Sequence, residues 1–269
     1  MKSFFVRLLS GIVLLAVIIS TGIIGGPLLF LLNAAVAFIG YWEFLRVFGL
    51  EKRLPGLMGY AFALGYYVLV YLSEGFALFS IGIVSILFLT VLMGVYVFAF
   101  PRFNSEEITA AFFGFFYVPV MLSFLYLTRT VTVEGSDSCL PYFLIFICSW
   151  GCDTCAYAVG MLIGKHKMAP VLSPKKSIEG GLGGVLGAAL IGFIYASVFS
   201  IQAVPCAILC GFGAVVSQIG DLAASAVKRN HDIKDYGNLI PGHGGILDRF
   251  DSVILTAPLI YLLSMVFWM

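Results

Sequence analysis

The chain has 269 residues, of which 61% are hydrophobic and 11% charged, with a formal net charge of +1. Ordinary soluble domains carry about 25% charged residues, so this composition and a mean hydropathy of +1.06 exclude a typical soluble enzyme. The net charge gives no indication of nucleic-acid binding, and we expect no nucleic-acid partner. Apolar runs of about twenty residues recur, each long enough to cross a bilayer as a helix. The sequence therefore predicts an all-α, polytopic integral membrane protein.

Nine membrane spans are predicted, at residues 6–24, 27–47, 56–73, 77–99, 108–127, 140–163, 181–200, 204–227 and 249–268. The first is expected to be a retained helix, because no clear small-residue cleavage site follows it. With a cytoplasmic N-terminus, fourteen of the fifteen Lys and Arg residues fall on the cytoplasmic side, and only Arg129 lies opposite. Cytoplasmic loops concentrate positive charge. This distribution predicts a multi-pass protein of the cell membrane with its N-terminus in the cytoplasm.

The first five spans carry few polar residues. Glu43 precedes Arg46 by three positions on one helix face, a spacing that favours a neutralised pair at the membrane interface. Glu106 and Glu107 follow Asn104, where acidic side chains suit the start of a helix, and we interpret them as capping residues.

The sixth span changes character because it contains a carboxylate. Asp153 lies well inside an apolar run, and Tyr157 and Gly160 follow on the same helix face. A lone carboxylate at that depth is costly unless it meets a cation, a metal ion or a wet cavity. The pattern favours a functional face, with an interhelical hydrogen bond as the structural alternative.

The loop at residues 164–184 is predicted to be non-helical because it contains Pro170 and Pro174. It is also strongly basic, through Lys165, Lys167, Lys175 and Lys176. One interpretation is a loop that touches anionic lipid headgroups. The other is a clamp for a polyphosphate, formed by Ser173, Lys175, Lys176 and Ser177. Backbone amides at Glu179 and Gly180 would add an anion site to that clamp.

Two small-residue patterns in the second half are interpreted as helix packing. Gly180 and Gly184 are four residues apart, a spacing typical of closely packed membrane helices. Cys152 and Cys155 form a CxxC spacing, but no suitable second pair follows, so packing is favoured over a zinc or redox role.

Residues 217–252 hold five of the fourteen acidic and four of the fifteen basic residues. A polar stripe runs along the eighth span through Gln218, Asp221, Ser225 and Lys228. The turn at 241–245 allows close backbone approach to a ligand, and Asp248 and Asp251 then share a helix face. Mg²⁺ typically takes one or two carboxylates plus substrate phosphates. Carboxylates together with cations therefore predict phosphoryl or nucleotidyl transfer.

The same stretch resembles the signature of phosphatidate cytidylyltransferases (CDP-diacylglycerol synthases). The residues that carry this resemblance are Ser225, Lys228, Arg229, Lys234, Asp235, Pro241, His243, Gly244, Gly245, Asp248, Arg249 and Asp251, after Gly220, Asp221 and Leu222. A second similar block covers Trp150, Asp153, Ala156, Tyr157, Gly160, Gly164, Lys165, Pro170, Ser173, Pro174, Lys176, Glu179, Gly180 and Gly184. The resemblance implies Mg²⁺-dependent conversion of CTP and phosphatidic acid to CDP-diacylglycerol and pyrophosphate.

With the family in view, we assign roles to individual residues. Asp221 and Asp248 are the expected Mg²⁺ ligands, and Asp251 would support that site or a second cation, divalent or K⁺. Asp221, Asp248 and Asp251 form the expected catalytic set together with Lys228 and Arg229. The expected substrate-binding residues are Asp153, Tyr157, Ser173, Lys175, Lys176, Ser225, His243, Gly244, Gly245 and Arg249.

We expect residues 1–105 to be a scaffold and candidate dimerisation region, and residues 106–269 to be catalytic. A homodimer is a further hypothesis. Two alternatives stay open: another CTP-dependent lipid enzyme, such as a polyprenol or phytol kinase or a cytidylyltransferase for another lipid phosphate, and an ion-coupled transporter. The transporter is disfavoured because the charges gather at one membrane face and no inverted repeat is visible.

Overall fold

The computed structural model describes residues 2–72, 77–131, 139–242 and 244–268. The helices of the first half are α1 (Lys2–Ile24), α2 (Gly26–Val47), α3 (Leu54–Leu72), α4 (Ala77–Phe98), α5 (Ser105–Phe115) and α6 (Met121–Thr130). The second half contains α7 (Leu140–Phe146), α8 (Cys152–Ile163), β1 (Lys167–Ala169), β2 (Ser173–Ser177), α9 (Ile178–Val198), α10 (Ala203–Asn230) and α11 (Leu247–Trp268).

Two π-helical turns join neighbouring helices into longer segments. Phe116–Val120 connects α5 to α6 and Ile147–Gly151 connects α7 to α8. The described residues then contain eight helical segments long and apolar enough to cross a membrane, besides a shorter apolar helix at Leu9–Ile24. The prediction of an all-α polytopic membrane protein is confirmed.

The basic loop forms a small antiparallel hairpin that the sequence did not predict. Strands β1 and β2 pair with Lys167 opposite Ser177. The Ser177 side chain caps α9 by accepting a hydrogen bond from the Gly180 amide at 3.1 Å. Helix α9 therefore begins three residues earlier than predicted, and the predicted anion site at the Gly180 amide is wrong because Ser177 already uses that donor.

The chain divides into two compact units. The first comprises Met1–Val17, Gly26–Ser123 and Asp235–Arg249, and the second comprises Ile18–Gly25, Phe124–Lys234 and Phe250–Met269. The predicted division at residue 105 separates a scaffold region from a catalytic region and does not describe compact units. It stays a prediction.

Aromatic side chains build the core of the first unit. Tyr41, Phe44 and Phe115 are fully buried, and the Tyr41 hydroxyl donates to the Ala111 carbonyl at 3.0 Å. Buried tyrosines commonly satisfy their hydroxyl in this way.

The capping prediction for α5 is confirmed for Glu107, and Glu106 lies beside it in the first turn. The Asn104 side chain accepts from the Glu107 amide at 2.8 Å, and the Glu107 carboxylate accepts from the Asn104 amide at 3.0 Å. These two bonds form a reciprocal capping box. Glu107 also pairs with Arg53.

Small residues let α8 pack closely on α9 in the second unit. A Cβ added at Gly184 would lie 2.8 Å from the Cys152 sulfur and 2.9 Å from the Ala156 Cβ. Side chains larger than glycine would force the helices apart, so the small-residue packing prediction is confirmed. This contact places the polar face of α8 beside the hairpin and the first turn of α9.

Candidate active site

A cavity of about 560 Å³ lies in the second unit, between α8, the hairpin, α9 and α10. It brings together five predicted substrate or metal residues, namely Asp153, Tyr157, Lys175, Lys176 and Asp221. Two acidic and two basic side chains around a concave surface are the features expected of a polar ligand site. The cavity favours the clamp interpretation of the basic loop over simple contact with lipid headgroups.

Lys176 and Asp221 form the central ion pair of this cavity. The Lys176 Nζ lies 2.5 Å from the Asp221 Oδ2, and both side chains are about a quarter exposed, at 26% and 25%. The Ser225 hydroxyl lies 3.5 Å from the Asp221 Oδ1. The pair offsets the cost of placing a carboxylate on an apolar helix. Because both groups line the cavity, an anionic ligand can compete with Asp221 for Lys176, and a cation can compete with Lys176 for Asp221.

Gln218 also lines the cavity, although no site role was predicted for it. Its Nε2 donates to the Gly181 carbonyl at 3.0 Å and lies 3.5 Å from the Cys152 sulfur. These bonds tie α10 to the start of α9 and to α8. The sequence could have indicated a site role for Gln218, because it lies on the polar stripe of α10, three positions before Asp221.

A second ion pair in this unit joins Lys228 to Asp251. The Lys228 Nζ lies 3.8 Å from the Asp251 Oδ2, and the residues are 8% and 9% exposed. The Asp251 Oδ1 accepts from the Ser252 amide at 2.8 Å. Removing one partner of such a buried pair leaves an uncompensated charge, which is strongly destabilising.

Asp248 lies in the first unit, in the first turn of α11. Only 5% of the residue is exposed, and its Oδ2 accepts from the amides of Tyr236 at 2.8 Å and Gly245 at 3.0 Å. Gly244 adopts φ +85°, a conformation that favours glycine because it lacks a Cβ. The Asp248 carboxylate therefore closes the turn in front of α11.

Glu43 has a different environment from the predicted one. Its carboxylate is fully buried and accepts from the amides of Ile246 at 3.1 Å and Leu247 at 2.7 Å. The Arg46 guanidinium lies over the Trp42 ring, 5.5 Å from its centroid. Glu43 therefore binds the amino end of α11, which favours an anion, in addition to the predicted charge interaction with Arg46.

Three further predicted residues are described, and they lie in different surroundings. Arg229 is exposed, and its Nη1 donates to the Ile233 carbonyl at 3.1 Å. Ser173 begins β2 and is absent from the residues that line the described cavity. Arg249 is half-buried in the first turn of α11. His243 lies outside the described residues.

Oxygen donors on α10 determine whether the cavity suits Mg²⁺. Within the described ranges, no group of three or more His, Cys, Asp and Glu residues could hold a metal ion. Mg²⁺ does not require such a group, because it binds through one or two carboxylates and completes its shell with water and substrate phosphates. The carboxylate of Asp221, beside the Ser225 hydroxyl, supplies oxygen donors of the kind that Mg²⁺ prefers, so these residues fit an ion that arrives with a nucleotide.

Comparison with known proteins identifies the family. A profile of the cytidylyltransferase family matches residues 5–267. The phosphatidate cytidylyltransferase of Bacillus subtilis (strain 168) is 31% identical over 269 residues, covering 97% of both chains. The chain belongs to the phosphatidate cytidylyltransferase family. The resemblance drawn from the motifs is thereby confirmed.

Other members of the phosphatidate cytidylyltransferase family agree with this placement. The relative from Staphylococcus saprophyticus is 33% identical over 263 residues, covering 96% of this chain and 98% of its own. The relative from Staphylococcus aureus (strain COL) is 39% identical over 167 residues, or 60% of this chain. As a family member, the protein is an enzyme, a nucleotidyltransferase with several membrane-spanning helices.

Proposed function

We propose that the protein transfers the cytidylyl group of CTP to phosphatidic acid, giving CDP-diacylglycerol and pyrophosphate for phospholipid biosynthesis. Family membership supports this reaction. The observation that carries it is the cavity lined by Lys175, Lys176, Asp153 and Asp221, in which Lys176 pairs with Asp221. A triphosphate needs cations, and a metal ion that accompanies it needs carboxylates.

In the proposed reaction, a phosphate oxygen of phosphatidic acid attacks the α-phosphorus of CTP. A new P–O bond forms there while the bond from the α-phosphorus to its bridging oxygen breaks, and the electron pair leaves with pyrophosphate. No covalent enzyme intermediate is required. Lys175, Lys176, Lys228 and Arg229 are proposed to neutralise the phosphates of both substrates. Such preorganised charge provides most of the catalysis in phosphoryl-type transfers.

We further propose that Mg²⁺ is bound by Asp221 and Asp248, with Asp251 supporting it or binding a second cation, divalent or K⁺. This assignment follows from the resemblance and from the fit of oxygen donors to Mg²⁺. The ion would neutralise phosphate oxygens on CTP. Lys176 would hold the Asp221 carboxylate until the nucleotide arrives, because the two groups already form an ion pair.

The acceptor lipid is proposed to approach sideways from the bilayer. Tyr157 and Met161 line the cavity and are 68% and 65% exposed, which gives its rim on α8 an apolar outer surface. Acyl chains would stay in the membrane while the lipid phosphate enters the polar interior. The cytoplasmic placement of the site rests on the charge distribution and on the cytosolic origin of CTP.

The position of a radiolabel separates this reaction from lipid phosphorylation. Purified protein in detergent would receive phosphatidic acid, or a polyprenol or phytol, with CTP labelled on the α- or the γ-phosphate. Cytidylyl transfer moves only the α-label into lipid, whereas a kinase moves only the γ-label. γ-Label in lipid, or no labelled lipid from folded protein, would contradict the proposal.

A further inference from the structure

Glu43 is a buried carboxylate that the proposed chemistry does not use. It lies in α2, and none of its surface is exposed. Its two oxygens accept hydrogen bonds from consecutive amides, Ile246 to Oε1 and Leu247 to Oε2. Amides at the start of a helix have no partner within that helix. Glu43 therefore caps the start of α11 from a distant helix.

Two glycines of the segment before α11 lie directly against this carboxylate. A Cβ added at Gly237 would lie 2.2 Å from the Glu43 Oε1, and one added at Gly245 would lie 2.4 Å from the same atom. Both distances fall below the 3.0 Å that real Cβ contacts essentially never cross. The chain thus wraps the carboxylate so tightly that larger residues at these positions would displace it.

The same segment holds Asp248. The Asp248 Oδ2 accepts from the amides of Tyr236 and Gly245, while Glu43 binds the next two amides along the chain, Ile246 and Leu247. The described residues of this segment, 236–242 and 244–248, are therefore held by two carboxylates, one from α2 and one from α11. Gly245 lies against Glu43 and donates its amide to Asp248. A change at Glu43 that moves Gly245 would therefore also move the Asp248 carboxylate.

We infer that Glu43 is a positioning residue, whose carboxylate fixes Gly245, Ile246 and Leu247 and through them orients Asp248. This inference rests on the proposed function, in which Asp248 serves the nucleotide and its Mg²⁺. An ionised carboxylate accepts at both oxygens, whereas a glutamine amide has one accepting atom and turns its NH₂ against the second N–H. The charge also suits the amino end of α11. Glutamine therefore fills the space of Glu43 but cannot accept hydrogen bonds from both the Ile246 and the Leu247 amides with its two terminal atoms.

The test uses full-length Glu43→Gln protein in detergent, measured for turnover, for CTP and Mg²⁺ dependence, and by hydrogen–deuterium exchange without nucleotide. We expect kcat to fall on the order of 10-fold or more, since changes to residues that orient metal ligands typically cost 10–100-fold. The Mg²⁺ concentration for half-maximal activity should rise, while KM for CTP changes less than kcat. The peptide covering 236–248 should exchange faster than in wild type.

Two further variants make the result decisive. Glu106→Gln is the matched control, because Glu106 is exposed in α5 and its loss should change neither activity nor exchange. Gly237→Ala disturbs the same contact, because the added Cβ would displace the Glu43 carboxylate. It should reproduce the Glu43→Gln effects, and the double variant should differ little from Glu43→Gln alone. If Glu43→Gln does not fold, Gly237→Ala decides the outcome.

Folded Glu43→Gln protein with wild-type kcat, Mg²⁺ dependence and exchange would overturn the inference. So would a variant that loses thermal stability alone and keeps these values. An inactive wild type would instead refute the proposed function, and faster exchange at 236–248 would still measure the contribution of Glu43 to that segment.

Discussion

Asp221 and Asp251 each face a lysine, whereas Asp248 and Glu43 accept backbone N–H groups. Unpaired charge is expensive on a membrane helix, so each carboxylate has a partner suited to its surroundings. The distinction has a functional consequence. A lysine partner can be replaced by a cation when a ligand binds, whereas backbone amides hold a carboxylate in one orientation.

Changing Lys176 to Ala should raise the KM for CTP by roughly 10-fold or more, because a hydrogen bond to a charged group contributes about 1.5–3 kcal/mol. Steady-state kinetics at varied CTP measures this change. Lys167→Ala is the matched control, since Lys167 belongs to the same hairpin but is not among the residues that line the described cavity. An unchanged KM in Lys176→Ala protein would remove Lys176 from the clamp.

Changing Asp248 to Asn should reduce turnover on the order of 100-fold or more while the protein stays folded. The amide oxygen of asparagine can still accept from both turn amides, which donate to the same Asp248 oxygen, but the neutral side chain cannot supply the negative charge that a metal ion needs. Turnover and thermal unfolding of the same sample provide the measurement. Asp232→Asn, at an exposed residue with φ +54°, serves as control. Substantial turnover in the Asp248 variant would contradict its assignment as a metal ligand.

At the scale of helices and strands, the cavity depends on how closely α8 approaches α9. Gly184 packs against Cys152 and Ala156, and this contact places Asp153 and Tyr157 of α8 on the cavity wall. Close helix packing in membranes uses small residues because lipid provides no hydrophobic drive between helices.

Gly184→Ala should therefore destabilise the protein, by about 1–3 kcal/mol as expected for overpacking. Thermal unfolding in detergent, followed by a cysteine-reactive dye, measures the effect. Gly65→Ala in α3 is the matched control, because a Cβ there meets no heavy atom of the described residues within 4 Å. Equal melting temperatures for the two variants would show that the α8–α9 contact does not limit stability.

The helices were predictable from the sequence, whereas the hairpin and the role of Glu43 were not. Long apolar runs report helices directly, since each backbone group in lipid must be satisfied within its own segment. The hairpin is short, polar and contains two prolines, so it has no periodic signal. Glu43 binds amides 203 and 204 residues away, and only the tertiary structure reveals such a partner.

The motif residues were predictable for a different reason. Their chemistry is recorded in residue type and spacing, as in the stripe of Gln218, Asp221, Ser225 and Lys228 along α10. The sequence could not tell which cation meets which carboxylate. The pairing of Lys176 with Asp221 and of Lys228 with Asp251 depends on how β2, α10 and α11 lie in the second unit.

For the whole molecule, the central prediction about orientation is that CTP reaches the site from the cytoplasm. Fourteen of the fifteen Lys and Arg residues fall on one predicted side, and CTP does not cross a bilayer. Sealed inverted vesicles should therefore convert external CTP, whereas sealed right-side-out vesicles should do so only after permeabilisation. Equal conversion by both intact preparations would contradict the predicted orientation.

The most direct test of the account measures both products of purified protein supplied with phosphatidic acid and CTP. Mass spectrometry would follow CDP-diacylglycerol, and a coupled assay would follow pyrophosphate, before and after Mg²⁺ is added to metal-free sample. We predict that the two products appear in equal amounts and only after Mg²⁺ addition. Folded protein that forms no CDP-diacylglycerol, or that forms it at the same rate without Mg²⁺, would contradict the account.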